Sequence, residues 1–218
     1  LATNAWSCAW TPKGAGTKTL HVRGIDNYGN VELIDDPSGS NAIMVQVNET
    51  PQLGLFHPAA IPTTITDPDS RAVELGVKFR PQTDGFITGI RFFKSETNVG
   101  IHTANLWTAS GTNLASLKFE NESAYGWQEV LFPEPIAIEQ NTVYVASYHT
   151  PSGRYSLDAK YFTSTLRTPT LEALKDGDQG ANGVFAYSTA STFPNSPSAG
   201  SNYWVDVLFS TSVGPDTK

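Results

Sequence analysis

The pattern of short apolar stretches between turn-forming residues constrains this fold most. Stretches rich in Val, Ile, Phe, Tyr and Trp recur between Gly, Pro, Asn and Asp, and apolar residues almost nowhere repeat at helical spacing. Because hairpin-length loops join antiparallel strands, the pattern predicts an all-β fold with antiparallel pairing, and at most one helical turn, at residues 171–174. We expect strands at residues 19–23, 42–47, 72–79, 86–93, 103–107, 114–119, 128–138, 142–148, 183–187 and 203–209.

The charge of the chain argues against a polyanionic partner. Its 218 residues carry a formal net charge of −7, and the Lys and Arg residues form no cluster that could follow a phosphate backbone. No apolar run is long enough to cross a membrane as a helix, so we expect neither nucleic-acid binding nor membrane insertion. Cys8 is the only cysteine, so the fold has to rest on its hydrophobic core. The first residues lack the pattern of an export signal, so we expect such a signal either to precede them or not to exist.

The first fifty residues have the pattern of an incomplete module. Residues 12–48 read as two strands joined by the turn-rich stretch 24–30, and they resemble the last strands of a bacterial immunoglobulin-like or fibronectin-like module. A full sandwich of that type needs about seven strands, so we assign residues 1–49 to a partial Ig-like module. Four prolines in residues 49–69 indicate a linker followed by an edge strand. The second domain then spans residues 50–212, and residues 213–218 form a tail.

The second domain carries an ordered series of short motifs. From residue 74 onward these are ELGVKF, GFITGIRFFK, GIHTANLWTASGTNLAS, GWQEVLF, YVASYH, GRY, NGVFAY and NYWVDVLF. The series resembles the bacterial family of unknown function DUF4082. The resemblance implies a jelly-roll, galactose-binding-like β-sandwich that occurs beside Ig-like repeats in large secreted or cell-surface proteins. It implies no catalytic residue, because the family has none established.

Aromatic and planar polar residues in these motifs are candidates for a carbohydrate site. An aromatic ring packs on the apolar face of a sugar while polar side chains bind its hydroxyl groups. Tyr155 follows the turn at residues 151–154, so we expect it to be exposed and to stack on the ligand; Tyr161 is a further aromatic candidate and Asp158 a further polar one. For Trp107 and Trp127 the alternative is burial in the core. The predicted ligand-binding residues are His102, Trp107, Trp127, Gln128, Tyr148, His149, Arg154 and Tyr155.

Two acidic residues are candidates for a structural calcium ion. Glu74 and Asp206 lie early and late in the motif series, in positions similar to those of calcium ligands in jelly-roll carbohydrate modules, and calcium prefers several oxygen ligands. The alternative is that Asp206 caps backbone amides or pairs with Arg91, since a buried carboxylate needs partners. The four histidines have no spacing typical of a zinc site.

No motif typical of an enzyme occurs in the chain. GxSxG, HExxH, the P-loop and GxGxxG are all absent, and Glu120, Glu122, Glu129 and Glu134 lie near expected turns without the signature of a glycosidase pair. The sequence therefore predicts a non-catalytic carbohydrate-binding module of a multidomain secreted or cell-surface protein. Its partners would be a polysaccharide or other glycan and the neighbouring Ig-like and other modules of the same polypeptide. The alternative is a structural or adhesive spacer that calcium stiffens and that binds no glycan.

Overall fold

The computed structural model describes residues 16–21, 28, 42–47 and 54–212. The chain divides into two compact units, Leu1–Pro51 and Gln52–Lys218. In the first unit, β1 (Gly16–His21) pairs antiparallel with β2 (Ala42–Val47). The rest of the expected Ig-like module and the expected tail at residues 213–218 lie outside the described residues.

The second unit contains eleven strands and no helix in its described part. No helix in the described part of the chain is long and apolar enough to cross a membrane. The strands are β3 (Val73–Pro81), β4 (Gly85–Lys94), β5 (Thr103–Thr108), β6 (Asn113–Lys118), β7 (Gly126–Ile138), β8 (Tyr144–Thr150), β9 (Leu166–Arg167), β10 (Leu171–Ala173), β11 (Val184–Tyr187), β12 (Ser196–Pro197) and β13 (Val205–Ser210).

These strands form two antiparallel sheets. The large sheet has the order β12-β11-β3-β8-β5-β6, with β10 also paired to β3 and β9 paired to β10. The small sheet has the order β13-β4-β7. The expected all-β, antiparallel class is confirmed, and the two sheets are consistent with a β-sandwich. The jelly-roll connectivity stays a prediction.

Both sheets contribute one face to a shared core. Along β3, Leu75 and Phe79 are fully buried, and along β13 so are Val205 and Val207; all four belong to one hydrophobic cluster. Because side chains alternate along a strand, the residues between them point away from this core, onto what we call the outer face of each sheet. Both outer faces carry buried polar residues, because loops and the segment at residues 54–61 lie over them.

A β-bulge changes the expected faces of β4. Strict alternation predicts that Ile87 shares a face with Arg91, on the opposite side from Ile90. The pairing with β13 and β7 shifts between Ile87 and Gly89, so Thr88 is an extra residue and Ile87 turns into the core beside Ile90. The expectation that Ile87 lies on the opposite face from Ile90 is therefore wrong, because the bulge reverses its direction.

The far edge of β3 is shared by two short strands. β11 pairs with residues 73–76 of β3, and β10 pairs with the end of β3. The prediction of a helical turn at residues 171–174 is therefore wrong, because Leu171–Ala173 form a strand. The buried Asn182 fills the gap between them. Its Oδ1 accepts a hydrogen bond from Lys78 N at 2.8 Å, and its Nδ2 donates to Lys78 O at 3.0 Å and Leu174 O at 2.6 Å. A side-chain amide thus replaces one step of the backbone ladder.

Candidate ligand-binding surface

Two of the predicted stacking residues belong to the core. Tyr148 is fully buried and stacks on Phe92, with ring centroids 4.2 Å apart and planes at 19°. Tyr155 is only 8% exposed and packs edge-on against Tyr203 at 5.6 Å. Burial raises the pKa of Tyr203 to about 12. The expectation that Tyr155 is exposed is wrong, because the chain after the turn folds inward.

Trp107 and His149 lie on the outer face of the large sheet beneath the loop that follows β11. Trp107 is buried and its Nε1 donates to Ser147 Oγ at 2.7 Å. His149 is also buried, with Nε2 3.0 Å from the carbonyl oxygen of Ser188. The burial alternative for Trp107 is confirmed, and both residues are largely shielded from solvent, at 7% and 6% exposure.

His102 and Arg154 serve to fix loops. His102 is buried, with Nδ1 2.8 Å from a Glu122 oxygen and Nε2 2.8 Å from Asn98 Oδ1. Arg154 has a positive φ of 55°, and its backbone N–H donates to Asp69 O at 2.6 Å. His102 packs on the core ring of Phe92 at 4.8 Å, whereas His149 lies on an outer face, so the two histidines do not form one site.

Trp127, by contrast, borders solvent at the start of β7, next to the buried Gln128. Trp127 is half-buried on the outer face of the small sheet, and its Nε1 donates to Ala60 O at 3.0 Å. The guanidinium of Arg91 lies over its ring at 4.4 Å. Gln128 is buried and shapes the preceding turn, because its Oε1 accepts from Ser123 N at 2.7 Å and its Nε2 donates to Gly126 O at 2.8 Å.

Rings around Trp127 form a continuous aromatic cluster on this outer face. Phe56 packs on Trp127 at 6.3 Å and on Trp204 at 5.2 Å, and Trp204 contacts Tyr161 at 6.1 Å. On the other side, Phe93 packs edge-on against both Trp127 and Tyr125. The members that reach solvent are named here the aromatic surface: Tyr125, which is 45% exposed, Tyr161, which is 37% exposed, and the half-buried Trp127.

The segment before β3 secures this cluster. Asp206 accepts hydrogen bonds from Leu55 N at 2.7 Å and Phe56 N at 3.2 Å, and Arg91 Nη2 donates to Asp206 at 2.7 Å and to Phe56 O at 2.6 Å. Gly54 must lack a side chain, because a Cβ would come within 2.5 Å of Asp206 Oδ2.

Sequence reasoning missed Phe56 and Tyr125. The Tyr-Gly-Trp spacing at residues 125–127 is the signal that could have found Tyr125.

A groove of about 220 Å³ lies beside Trp127. Among its lining residues are Glu120, Glu122 and Glu129, which the sequence had placed only near turns. Lys94 Nζ and His102 Nδ1 both bind Glu122, at 2.7 and 2.8 Å. Burial alone would raise the pKa of Glu122, but these hydrogen bonds lower it overall. The other two carboxylates are exposed, so the groove suits neutral or cationic ligands better than anionic ones.

The two predicted calcium ligands cannot share an ion. Glu74 follows the core residue Val73 and faces outward from the large sheet, whereas Asp206 faces outward from the small sheet. Stacked sheets lie about 10 Å apart, far more than calcium coordination allows. The pairing of Asp206 with Arg91 is confirmed instead. Among the described residues no group of three or more His, Cys, Asp or Glu could hold a metal; calcium binding elsewhere stays a prediction.

Fold and surface together define an antiparallel β-sandwich domain with an aromatic patch on one outer face. Residues 59–205 match a family described as a domain of unknown function, DUF4082. The match covers about two thirds of the chain, and the chain belongs to this family. No curated protein matches the chain.

Proposed function

We propose that the second unit is a non-catalytic carbohydrate-binding module of a multidomain secreted or cell-surface protein, and that the aromatic surface is its platform. The observation that carries the proposal is the exposure of Tyr125 and Tyr161 on rings that are themselves fixed in a packed cluster. Rigid aromatic rings bind a sugar with little loss of side-chain entropy.

The surroundings of the aromatic surface support a hydroxyl-rich, non-anionic ligand. The groove beside Trp127 offers the carboxylates of Glu120 and Glu129 together with Asn121 and Ser123. Carboxylate, amide and hydroxyl groups accept or donate hydrogen bonds to sugar hydroxyls. We therefore expect neutral polysaccharides, or polysaccharides with amino sugars, to bind better than sulfated or uronic-acid polymers.

The test is a glycan-array and affinity-gel screen of the whole chain against plant, algal and bacterial polysaccharides, with and without calcium. For a polysaccharide that binds, Tyr125→Ala and Tyr161→Ala should each weaken binding about tenfold, which corresponds to about 1.4 kcal/mol. Tyr187→Ala is the matched control, because Tyr187 is 44% exposed but lies on the large sheet.

Each result of the screen has a definite meaning. No binding across a broad panel by a folded chain would refute the proposal and favour the spacer function, with calcium dependence of stability as its own test. Equal losses in Tyr187→Ala and in the two surface variants would refute the assignment of the platform. Release of reducing ends from a bound polysaccharide would show that the module is catalytic, and Glu120→Gln and Glu129→Gln would then identify the carboxylates.

A further inference from the structure

The loop at residues 188–195, between β11 and β12, covers the outer face of the large sheet. Its Phe193 packs edge-on against Trp107 with ring centroids 5.7 Å apart. Its Pro194 is buried over Gly76, where a Cβ atom would come within 3.0 Å of the proline ring. The loop therefore packs so closely on this face that a residue larger than glycine at position 76 would require Pro194 to shift.

Polar contacts beneath the loop converge on Glu74. Its Oε1 accepts hydrogen bonds from Ser147 Oγ at 2.5 Å and Asn105 Nδ2 at 2.9 Å. The loop adds Thr192 N, at 3.4 Å from Oε2, and Ser191 Oγ, which accepts from Asn105 Nδ2 at 3.2 Å. Glu74 is fully buried in this position.

The loop has little backbone attachment of its own. Ser188 N donates to Ala72 O before the loop, and Ser198 N donates to Gly183 O after it. Between these points, residues 189–195 make no backbone–backbone hydrogen bond within the described part of the chain. Side-chain contacts and the contact with Glu74 hold the loop down, so it can lift between two fixed ends.

Glu74 is a costly residue to bury in its charged form. It takes part in none of the salt bridges found among the described residues. Burial raises its pKa from 4.5 to about 7, although hydrogen bonds from Ser147 and Asn105 oppose the shift. Lifting the loop would expose the carboxylate to water and remove this cost.

We propose that the 188–195 loop is a latch that uncovers the outer face of the large sheet when Glu74 loses its proton. With the loop closed the proton is held up to about pH 7, and with the loop open Glu74 has its ordinary acidity. Loop opening is therefore least favourable below about pH 4.5. Its equilibrium constant rises roughly tenfold per pH unit from there up to about pH 7, a total increase on the order of a hundredfold. This device does not depend on the proposed carbohydrate function.

The effect of Glu74 has to be distinguished from the effects of other charged groups near this face. His149 lies opposite Glu74 in the β3–β8 ladder and contacts the loop through Ser188 O. Lys78 donates to Gln179 O on the same face, and Lys118, at the end of β6, is exposed. β11 places Ala186 opposite Glu74, and the loop itself contains no titratable side chain. Because His149 lies directly opposite Glu74, its contribution has to be tested separately.

The indole N–H of Trp107 reports on the latch. It is buried beneath the loop and bound to Ser147, so it exchanges with solvent only when the face is uncovered. The indole N–H of Trp204, buried at the small sheet, is the internal reference for larger openings. NMR measures both exchange rates between pH 5 and pH 8 in the whole chain, relative to free indole. Glu74→Gln and His149→Gln are compared with the unchanged protein.

We expect the protection of the Trp107 indole to fall on the order of a hundredfold from pH 5 to pH 8 in the unchanged protein and in His149→Gln, and to stay constant in Glu74→Gln. Low urea should accelerate the exchange of Trp204 but not that of Trp107, because latch opening exposes little surface. Constant protection in the unchanged protein, the same fall in Glu74→Gln, or equal urea dependence for both indoles would each overturn the proposal.

Discussion

Replacing Glu74 with Gln should make the folded chain less sensitive to rising pH. Gln keeps the size of the side chain and an oxygen that can accept from Ser147 and Asn105, but it cannot ionise. Because burial raises the pKa of Glu74, the folded state binds its proton more tightly than the unfolded state. The contribution to stability is present below the unfolded pKa of 4.5 and is lost as pH rises toward about 7.

The size of this effect follows from the shift. From 4.5 to about 7, at 1.36 kcal/mol per pKa unit, ionising Glu74 costs about 3 kcal/mol when the loop stays closed. The side-chain amide of Gln also places a donor near the donor Thr192 N. This contact lowers the free energy of unfolding of Glu74→Gln by a constant amount, about 1 kcal/mol, at every pH. The difference in stability, Glu74→Gln minus the unchanged protein, should therefore rise by up to about 3 kcal/mol between pH 4 and pH 8.

Urea unfolding followed by tryptophan fluorescence, at half-unit steps from pH 4 to pH 8, measures this difference. Glu129→Gln is the control, because Glu129 is exposed on β7 and its replacement makes the same change of side chain without emptying a buried site. A difference for Glu74→Gln that is constant with pH would show that Glu74 is ionised in the folded state at ordinary pKa, and the reasoning from its burial would fail.

Three further substitutions test the packing. Tyr155→Ala should lower the free energy of unfolding by about 3 kcal/mol, since it empties a buried site, and should leave glycan binding unchanged; calorimetry and affinity gels measure the two effects. Asp206→Asn should cost about 3 kcal/mol in urea unfolding, because it leaves Arg91 buried without a counter-charge. Asn182→Ala should cost about 2–3 kcal/mol by the same assay, because Lys78 N and O lose their buried partners. A cost below 1 kcal/mol would contradict the corresponding argument.

Alternation of apolar residues was enough to predict most strands of the second unit. The stretch at residues 203–209 alternates as expected, with Val205 and Val207 inside and Asp206 outside. The pattern could not show the bulge that turns Ile87 inward, since a bulge depends on how neighbouring strands pair. Nor could it identify the three-residue strand at Leu171–Ala173, which is too short for its period to be recognised.

The site residues were harder to predict, because the exposure of a side chain depends on the tertiary fold. Tyr155 and Tyr148 carry the right chemistry for sugar stacking, but the fold buries both rings. Glu74 and Asp206 have similar sequence surroundings, and only the assignment of their strands to different sheets shows that they cannot meet. The ion pair of Asp206 with Arg91 was predictable as an alternative, because a carboxylate between two core residues requires a partner.

Opening of the 188–195 loop and the contribution of Glu74 to the free energy of unfolding are linked. Measuring both gives a stricter test than either measurement alone. At pH 8 the folded chain can keep the loop closed over an ionised Glu74, at a cost of about 3 kcal/mol, or lift the loop. It adopts whichever state costs less, so the difference curve for Glu74→Gln should level off at the smaller of the two costs. The exchange of the Trp107 indole at pH 5 gives the opening cost independently. If that cost is below 3 kcal/mol and the curve nevertheless rises past it, Glu74 and the loop are not coupled.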